Sequence, residues 1–191
     1  MRIFLLLYIF NGFLFSDQKP FEIFQLYMSQ EQGRLFSINF DYQNFGENFT
    51  TSGDLWYFNP KDYVFDSQSE RISNKNNNIT TINKLTKQVI YDKNFKNNFD
   101  IFDFLSNTGS GIKVFSSLIE EELIKINFFL IEWDAEGTIW IMQNTGEPKR
   151  ISINISNNET VDLEIISSKV ISTSSLSYID ISEYEIIDLR D

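Results

Sequence analysis

The stretch Gly53-Asp54-Leu55-Trp56-Tyr57-Phe58-Asn59-Pro60, followed by Lys61-Asp62-Tyr63-Val64-Phe65, constrains the fold more than any other part of this chain. It reads as a strand, a tight turn and a returning strand. Pro60 has no backbone N–H and suits a turn better than the middle of a ladder. Side chains alternate with period two along a strand, so Leu55 and Tyr57 share one face and Tyr63 and Phe65 can share the facing one. A hairpin that turns large aromatics to one side needs an apolar surface to face.

Upstream, Leu35 to Tyr42 alternates cleanly. Phe36, Ile38, Phe40 and Tyr42 lie on one side, and Ser37, Asn39 and Asp41 on the other, which predicts a strand with one wet face. Before it, residues 17 to 33 predict a helix. Asp17 is placed to cap it and Pro20 suits its first turn, while Phe21, Phe24, Tyr27 and Met28 fall at helical spacing. Gly33 ends it. Residues 43 to 52, rich in Asn and Gly, read as a loop.

Composition narrows the chemistry. The 191 residues suffice for one domain with a substantial core, and 16% aromatic content with 19 Phe is generous for that core. There is no Cys and no His, which removes disulfides, thiol chemistry, a lipid-modified cysteine and the commonest base and metal ligand. A formal charge of −11 disfavours nucleic acid and anionic membrane surfaces as direct partners. No catalytic residue, metal site or cofactor is expected. Asp54, Asp62 and Asp66 fall at strand ends and turns, where solvation is the plainer reading, and Glu120-Glu121-Glu122 reads as a solvated edge.

Met1-Arg2 followed by the apolar run Ile3 to Phe15 predicts a secretory signal peptide over residues 1–16, cleaved after Ser16. About 13 apolar positions are too few for a bilayer span of ~20. Cleavage would remove Arg2 and no acid, and leave residues 17–191 as a single exported domain.

Downstream, strands are expected around 70–73, 79–83 and 88–92, with a turn at Asn74 to Asn78. Asn97 to Asn107 changes to helical spacing, with Phe99, Phe102 and Leu105 on one side. So short a helix is marginal in water and must lie on something apolar. Residues 113–132 stay open, since Glu120 to Glu122 can close a short helix ahead of a buried strand from Leu123 to Trp133. Asp134 to Gly137, Thr145 to Pro148 and Asn157-Asn158 read as turns. They separate strands bearing Ile139 and Ile141, then Ile151, Ile153 and Ile155, then Val161, Leu163 and Ile165, as an antiparallel meander. The tail from Thr173 is β-prone and acidic, with no predicted placement.

Gly-Asp-Leu-Trp ahead of Pro60, the aromatic return strand and Phe36-Ser37-Ile38-Asn39-Phe40 before them resemble the LolA family of periplasmic lipoprotein carriers. The likeness covers roughly residues 17 to 170. It implies an α+β fold in which a strongly curved antiparallel sheet, an unclosed β-barrel, is covered on its concave face by helices. It also implies an apolar cavity for the acyl chains of triacylated lipoproteins, lined here by Phe36, Ile38, Phe40, Leu55, Tyr57, Tyr63, Phe65, Ile139, Ile141, Ile151 and Ile153. Phe99, Phe102 and Leu105 would form the lid. The family commonly places an arginine latch just before the hairpin proline, where this chain has Asn59. Further implications are a monomer in the periplasm, loading by a LolCDE-type inner-membrane transporter, and delivery to a LolB-type receptor or to the membrane. Two other readings stay open: a carrier of another lipid or amphiphile, and an exported β-rich interaction or sensor domain whose concave face is simply core.

Overall fold

The helix forms where its apolar spacing places it. In the computed structural model, which describes residues 18–30, 32–59, 61–93, 111–171 and 176–190, α1 runs from Gln18 to Met28. Phe21, Phe24, Tyr27 and Met28 are all buried, and Leu26 on the opposite side is exposed. The leader over residues 1–16, Pro60 and the 97–107 segment with Phe99, Phe102 and Leu105 lie outside the described residues.

Period-two patterning builds the rest. β1 (Arg34–Asn44), β2 (Glu47–Asn59), β3 (Asp62–Ser67), β4 (Glu70–Lys75), β5 (Asn78–Asn83) and β6 (Gln88–Lys93) follow one another by hairpins. β7 (Ile112–Glu120), β8 (Leu123–Leu130), β9 (Ala135–Met142), β10 (Pro148–Ser156) and β11 (Glu159–Val170) form a second run, and β12 (Glu185–Asp188) ends the series. All belong to one 12-stranded sheet in the order β12-β6-β5-β4-β3-β2-β1-β11-β10-β9-β8-β7. The two runs join through antiparallel pairing of β1 with β11, from Arg34 opposite Val170 to Asn44 opposite Glu159. The sheet does not close: among the described residues β7 and β12 end it.

The predicted hairpin is present, with Leu55 opposite Phe65 and Tyr57 opposite Tyr63. Several expectations are corrected. Residues 43–52 are not a loop, because β1 and β2 stay paired down to Asn44 opposite Glu47. Phe45 and Gly46, both at positive φ (46° and 89°), turn the chain in two residues, the geometry that matches strand twist. The polar far end of β2 is mostly exposed, so no hydrophobic alternation betrayed it. Glu120 to Glu122 do not close a helix. Glu121 at φ 57° turns β7 into β8, and both are strands. The turn expected at 134–137 comes earlier, since Ala135 is already buried and paired with Leu130. Of the helices expected over the concave face, α1 is the one among the described residues.

The tail, for which no placement was predicted, crosses the sheet's outer side and adds β12 to β6 in parallel, from Glu185 opposite Gln88 to Asp188 opposite Tyr91. Arg71 ties it down by donating to the Ser177 carbonyl (2.8 Å) and hydroxyl (3.0 Å). The same guanidinium pairs with Asp66 at 2.7 Å, and Lys84 reaches the other carboxylate oxygen at 2.6 Å. Burial pushes the Asp66 carboxyl up, but the hydrogen bonds from Arg71 and Lys84 outweigh it and hold it below the usual range. A depressed folded pKa means stability that is present above the unfolded value, near 4, and lost as pH falls through the folded one. Asp66→Asn is therefore expected to cost about 1–2 kcal/mol at pH 7, as befits a half-sheltered double pair. Urea titrations at descending pH should show the gap to the parent chain closing below pH ~4; a gap that persists there excludes this origin.

Candidate functional site

The inner face of the sheet is assembled by register. One row runs Phe65, Leu55, Phe36 across β3, β2 and β1. Another runs Ile126, Ile139, Ile151, Leu163, Phe40 from β8 to β1. The bulge in the β1–β11 register lies on β11, where exposed Ile166 is the extra residue between Ser167 opposite Ser37 and Ile165 opposite Ile38, so that buried Ile165 stands opposite Ile38 and Ser168 opposite Phe36. Every residue predicted to line the apolar face belongs to one buried cluster: Phe36, Ile38, Leu55, Tyr57, Tyr63, Phe65, Ile139, Ile141, Ile151 and Ile153 are within it, and Phe40 packs against it. To these β8 adds Ile124, Ile126, Phe128 and Leu130, which all point in. A buried strand from Leu123 to Trp133 was expected there, but its residues were not counted among those lining the face.

α1 lies on this face. It contributes Phe21, Phe24, Tyr27 and Met28 to the cluster. It packs against β7 and β8, and the Ile23 backbone comes so near the β9–β10 turn that a Cβ on Gly146 would sit 2.6 Å from its carbonyl oxygen. Tyr27 hydrogen-bonds Ser168 of β11 through the two hydroxyls at 2.6 Å. A helix of this length is about 16 Å long, whereas the strands it touches, β1 to β7, would span roughly 24 Å if flat. A sheet curling toward the helix accounts for that reach.

The helix is also fastened by a residue that sequence reasoning passed over. Arg34, at the start of β1 and only 6% exposed, donates through Nε to the Tyr27 carbonyl at 3.1 Å. Its guanidinium lies 3.6 Å from the centre of the Tyr27 ring, and Nη2 donates to Gln30. No carboxylate among the described residues pairs with it. Arg34 stands opposite Tyr57 in the next strand, two residues before the predicted latch position Asn59. Asn59 itself is exposed, and its amide oxygen accepts from the Lys61 N–H at 2.9 Å, which braces the hairpin turn.

Polar groups are sparse on the inner face. Asn74, 1% exposed between Tyr63 and Ile79 on the flanking strands, accepts from the Asn77 N–H through Oδ1. Its Nδ2 has no hydrogen-bond partner among the described residues. The outer face is the reverse, with Asp41, Asp54, Asp162 and Glu164 held by hydroxyl, amide and guanidinium donors. The inner face is apolar and the outer face solvated, and the inner face offers no acid–base pair for bond-making chemistry among the described residues. No helix of those residues is long and apolar enough to cross a membrane.

No family model matches this chain, and no curated protein does. Solved structures do. An uncharacterized conserved protein from Thermus thermophilus superposes with a TM-score of 0.57 at 8% identity, over 91% of this chain and 99% of that one. A LolA superfamily protein from Nitrosomonas europaea gives 0.47 at 8% identity, over 83% and 94%. A DUF1329 family protein from Desulfovibrio piger gives 0.46 at 7% identity, over 83% and 93%. At 8% identity the Thermus thermophilus superposition shows a shared fold alone; in this chain that fold is a large unclosed sheet, antiparallel except for β12.

Proposed function

We propose that the inner face binds acyl chains and that the chain is a periplasmic carrier of triacylated lipoproteins from the inner to the outer membrane. The observation that supports this most is a continuous apolar face, seven strands wide from β3 to β8, covered among the described residues by one short helix that buries Phe21, Phe24, Tyr27 and Met28 on it and is fastened by Arg34. Each methylene transferred from water is worth about 0.8 kcal/mol, so a long acyl chain brings on the order of 10 kcal/mol. A cover that shields the same apolar surface when no ligand is present competes with the ligand. Net affinity then becomes a difference between two burials, which permits hand-off without a covalent step.

In this reading Phe36, Ile38, Phe40, Leu55, Tyr57, Tyr63, Phe65, Ile139, Ile141, Ile151 and Ile153 contact the ligand, and Phe99, Phe102 and Leu105 complete the cover. Arg34, not Asn59, supplies the arginine contact that keeps a helix closed over the face. A LolCDE-type transporter would load the carrier and a LolB-type receptor or the membrane would unload it.

Two measurements test this. Gently purified protein should carry lipoprotein-derived acyl species detectable by mass spectrometry; protein that is clean of lipid, and takes up none, excludes a carrier. Displacement of an environment-sensitive fatty-acid probe should show roughly tenfold tighter uptake by Arg34→Gln, because one charge-assisted contact to the helix is lost. Asn59→Arg should leave uptake unchanged, and a reversed ranking would return the latch to Asn59.

A further inference from the structure

The inner face runs on past the buried cluster. Across β3 to β6, Tyr63 stands opposite Asn74, Asn74 opposite Ile79 and Ile79 opposite Asp92. The neighbouring row runs Phe65, Ile72, Thr81, Ile90. Residues directly opposite share a face, so Tyr63 and Phe65, both in the cluster, place the two rows on the inner side. Burial fades along them. Tyr63, Phe65 and Asn74 are buried, whereas Ile72, Ile79, Thr81 and Ile90 are half-buried. A partly open, mostly apolar shelf therefore begins at Asn74.

Asn74 also carries a buried donor with nothing to donate to, its Nδ2. The Oδ1 is committed, because it accepts from the Asn77 N–H at 3.1 Å and braces the turn in which Asn76 and Asn77 both take positive φ (53° and 68°). Turning the amide round would set two N–H donors against each other, so neither assignment of the group satisfies both ends. We infer that Asn74 Nδ2 donates to the carbonyl oxygen of an acyl ester or amide, which holds the polar end of the ligand over the Ile72–Ile79 shelf and sends its chain toward Tyr63 and the buried cluster. The inference rests on the acyl-binding reading of the inner face and adds a selectivity to it: esterified or amidated chains are taken over free acids. A neutral amide donor suits a neutral carbonyl. Asp92, in the same row and roughly 10 Å away, disfavours a carboxylate or phosphate in that place.

The test is displacement of the environment-sensitive probe from the full chain by methyl hexadecanoate, by the corresponding methyl ether with a methylene in place of the carbonyl, and by the free acid, at pH ~8 where carboxyl groups are ionised. The parent chain should prefer the ester to the ether by roughly tenfold, as one hydrogen bond to a donor otherwise unpaired allows. Asn74→Leu, similar in size and without the donor, should bind ester and ether alike and keep the parent affinity for the ether to within about threefold. Asn74→Asp, which retains an oxygen for the Asn77 N–H, should lose the ester preference as well. An isotope-labelled ester carbonyl should absorb at lower infrared frequency on the parent chain than on either variant, a change that loosened packing does not produce. Equal affinity of the parent chain for ester and ether or for ester and free acid, or an ester preference and carbonyl frequency untouched in both variants, overturns the inference and leaves acyl binding standing. Displacement by none of the three ligands overturns both.

Discussion

Gly137→Val is expected to destabilise the chain by about 3 kcal/mol, the upper end of the usual cost of overpacking a core. Gly137 lies in β9 between Phe128 of β8 and Ile153 of β10. A Cβ there would stand 2.2 Å from Phe128 Cζ and 2.4 Å from its Cε2. The ring is fully buried and the strands on both sides are paired, so it has no open direction in which to yield. At this chain length the melting temperature should fall by roughly 6–12 °C. Urea unfolding at an unchanged m-value would show that the loss belongs to the native state. Phe128→Leu in the same background should recover more than half of it, because the two positions touch and their effects cannot add. Normal stability of the single variant would mean that the ring does not cover Gly137.

Phe36→Ala should cost about 3–5 kcal/mol, the range for deleting a buried ring. Phe36 is 1% exposed, flanked by Leu55 on β2 and Ser168 on β11, at the junction of the two runs of strands. Phe40, four residues on and only partly buried, should cost about half as much on the same change. The contrast matters because both residues were assigned the same role from alternation alone, and equal losses would contradict the burial difference. The pair also bears on the proposed carrier. If acyl chains occupy this face, a saturating long-chain fatty acid should restore part of the Phe36→Ala loss, since it binds the native state and refills apolar volume. Absence of any ligand-dependent shift in the variant and in the parent chain would count against the proposal and leave the core assignment intact.

Much of the inner face was legible because facing is a local property. Period two assigned Phe36, Ile38, Leu55, Tyr57, Tyr63 and Phe65 to one side, and helical spacing assigned Phe21, Phe24, Tyr27 and Met28. Register errors flip every side chain, so a strand with one buried face has few alternatives. The reading failed where that local signal is weak. The polar end of β2 looked like a loop because neither of its sides is buried, and the triple-Glu stretch looked like a helix end because a positive φ at Glu121 has no compositional mark. The bulge at Phe115 was equally silent, since an extra residue breaks alternation without announcing which residue is extra.

By itself, then, the amino-acid order determined which residues point inward, the Tyr57–Tyr63 hairpin, and the meander of the last third. The tertiary structure alone decided that β1 meets β11, that the tail doubles back to lie parallel to β6, and that Arg34 sits under the helix end beside Tyr57. The physical reason is range. Side-chain facing follows from backbone geometry within a few residues, whereas the choice of neighbour is made by burial of whole faces, and residues distant along the chain leave no periodic trace of having met.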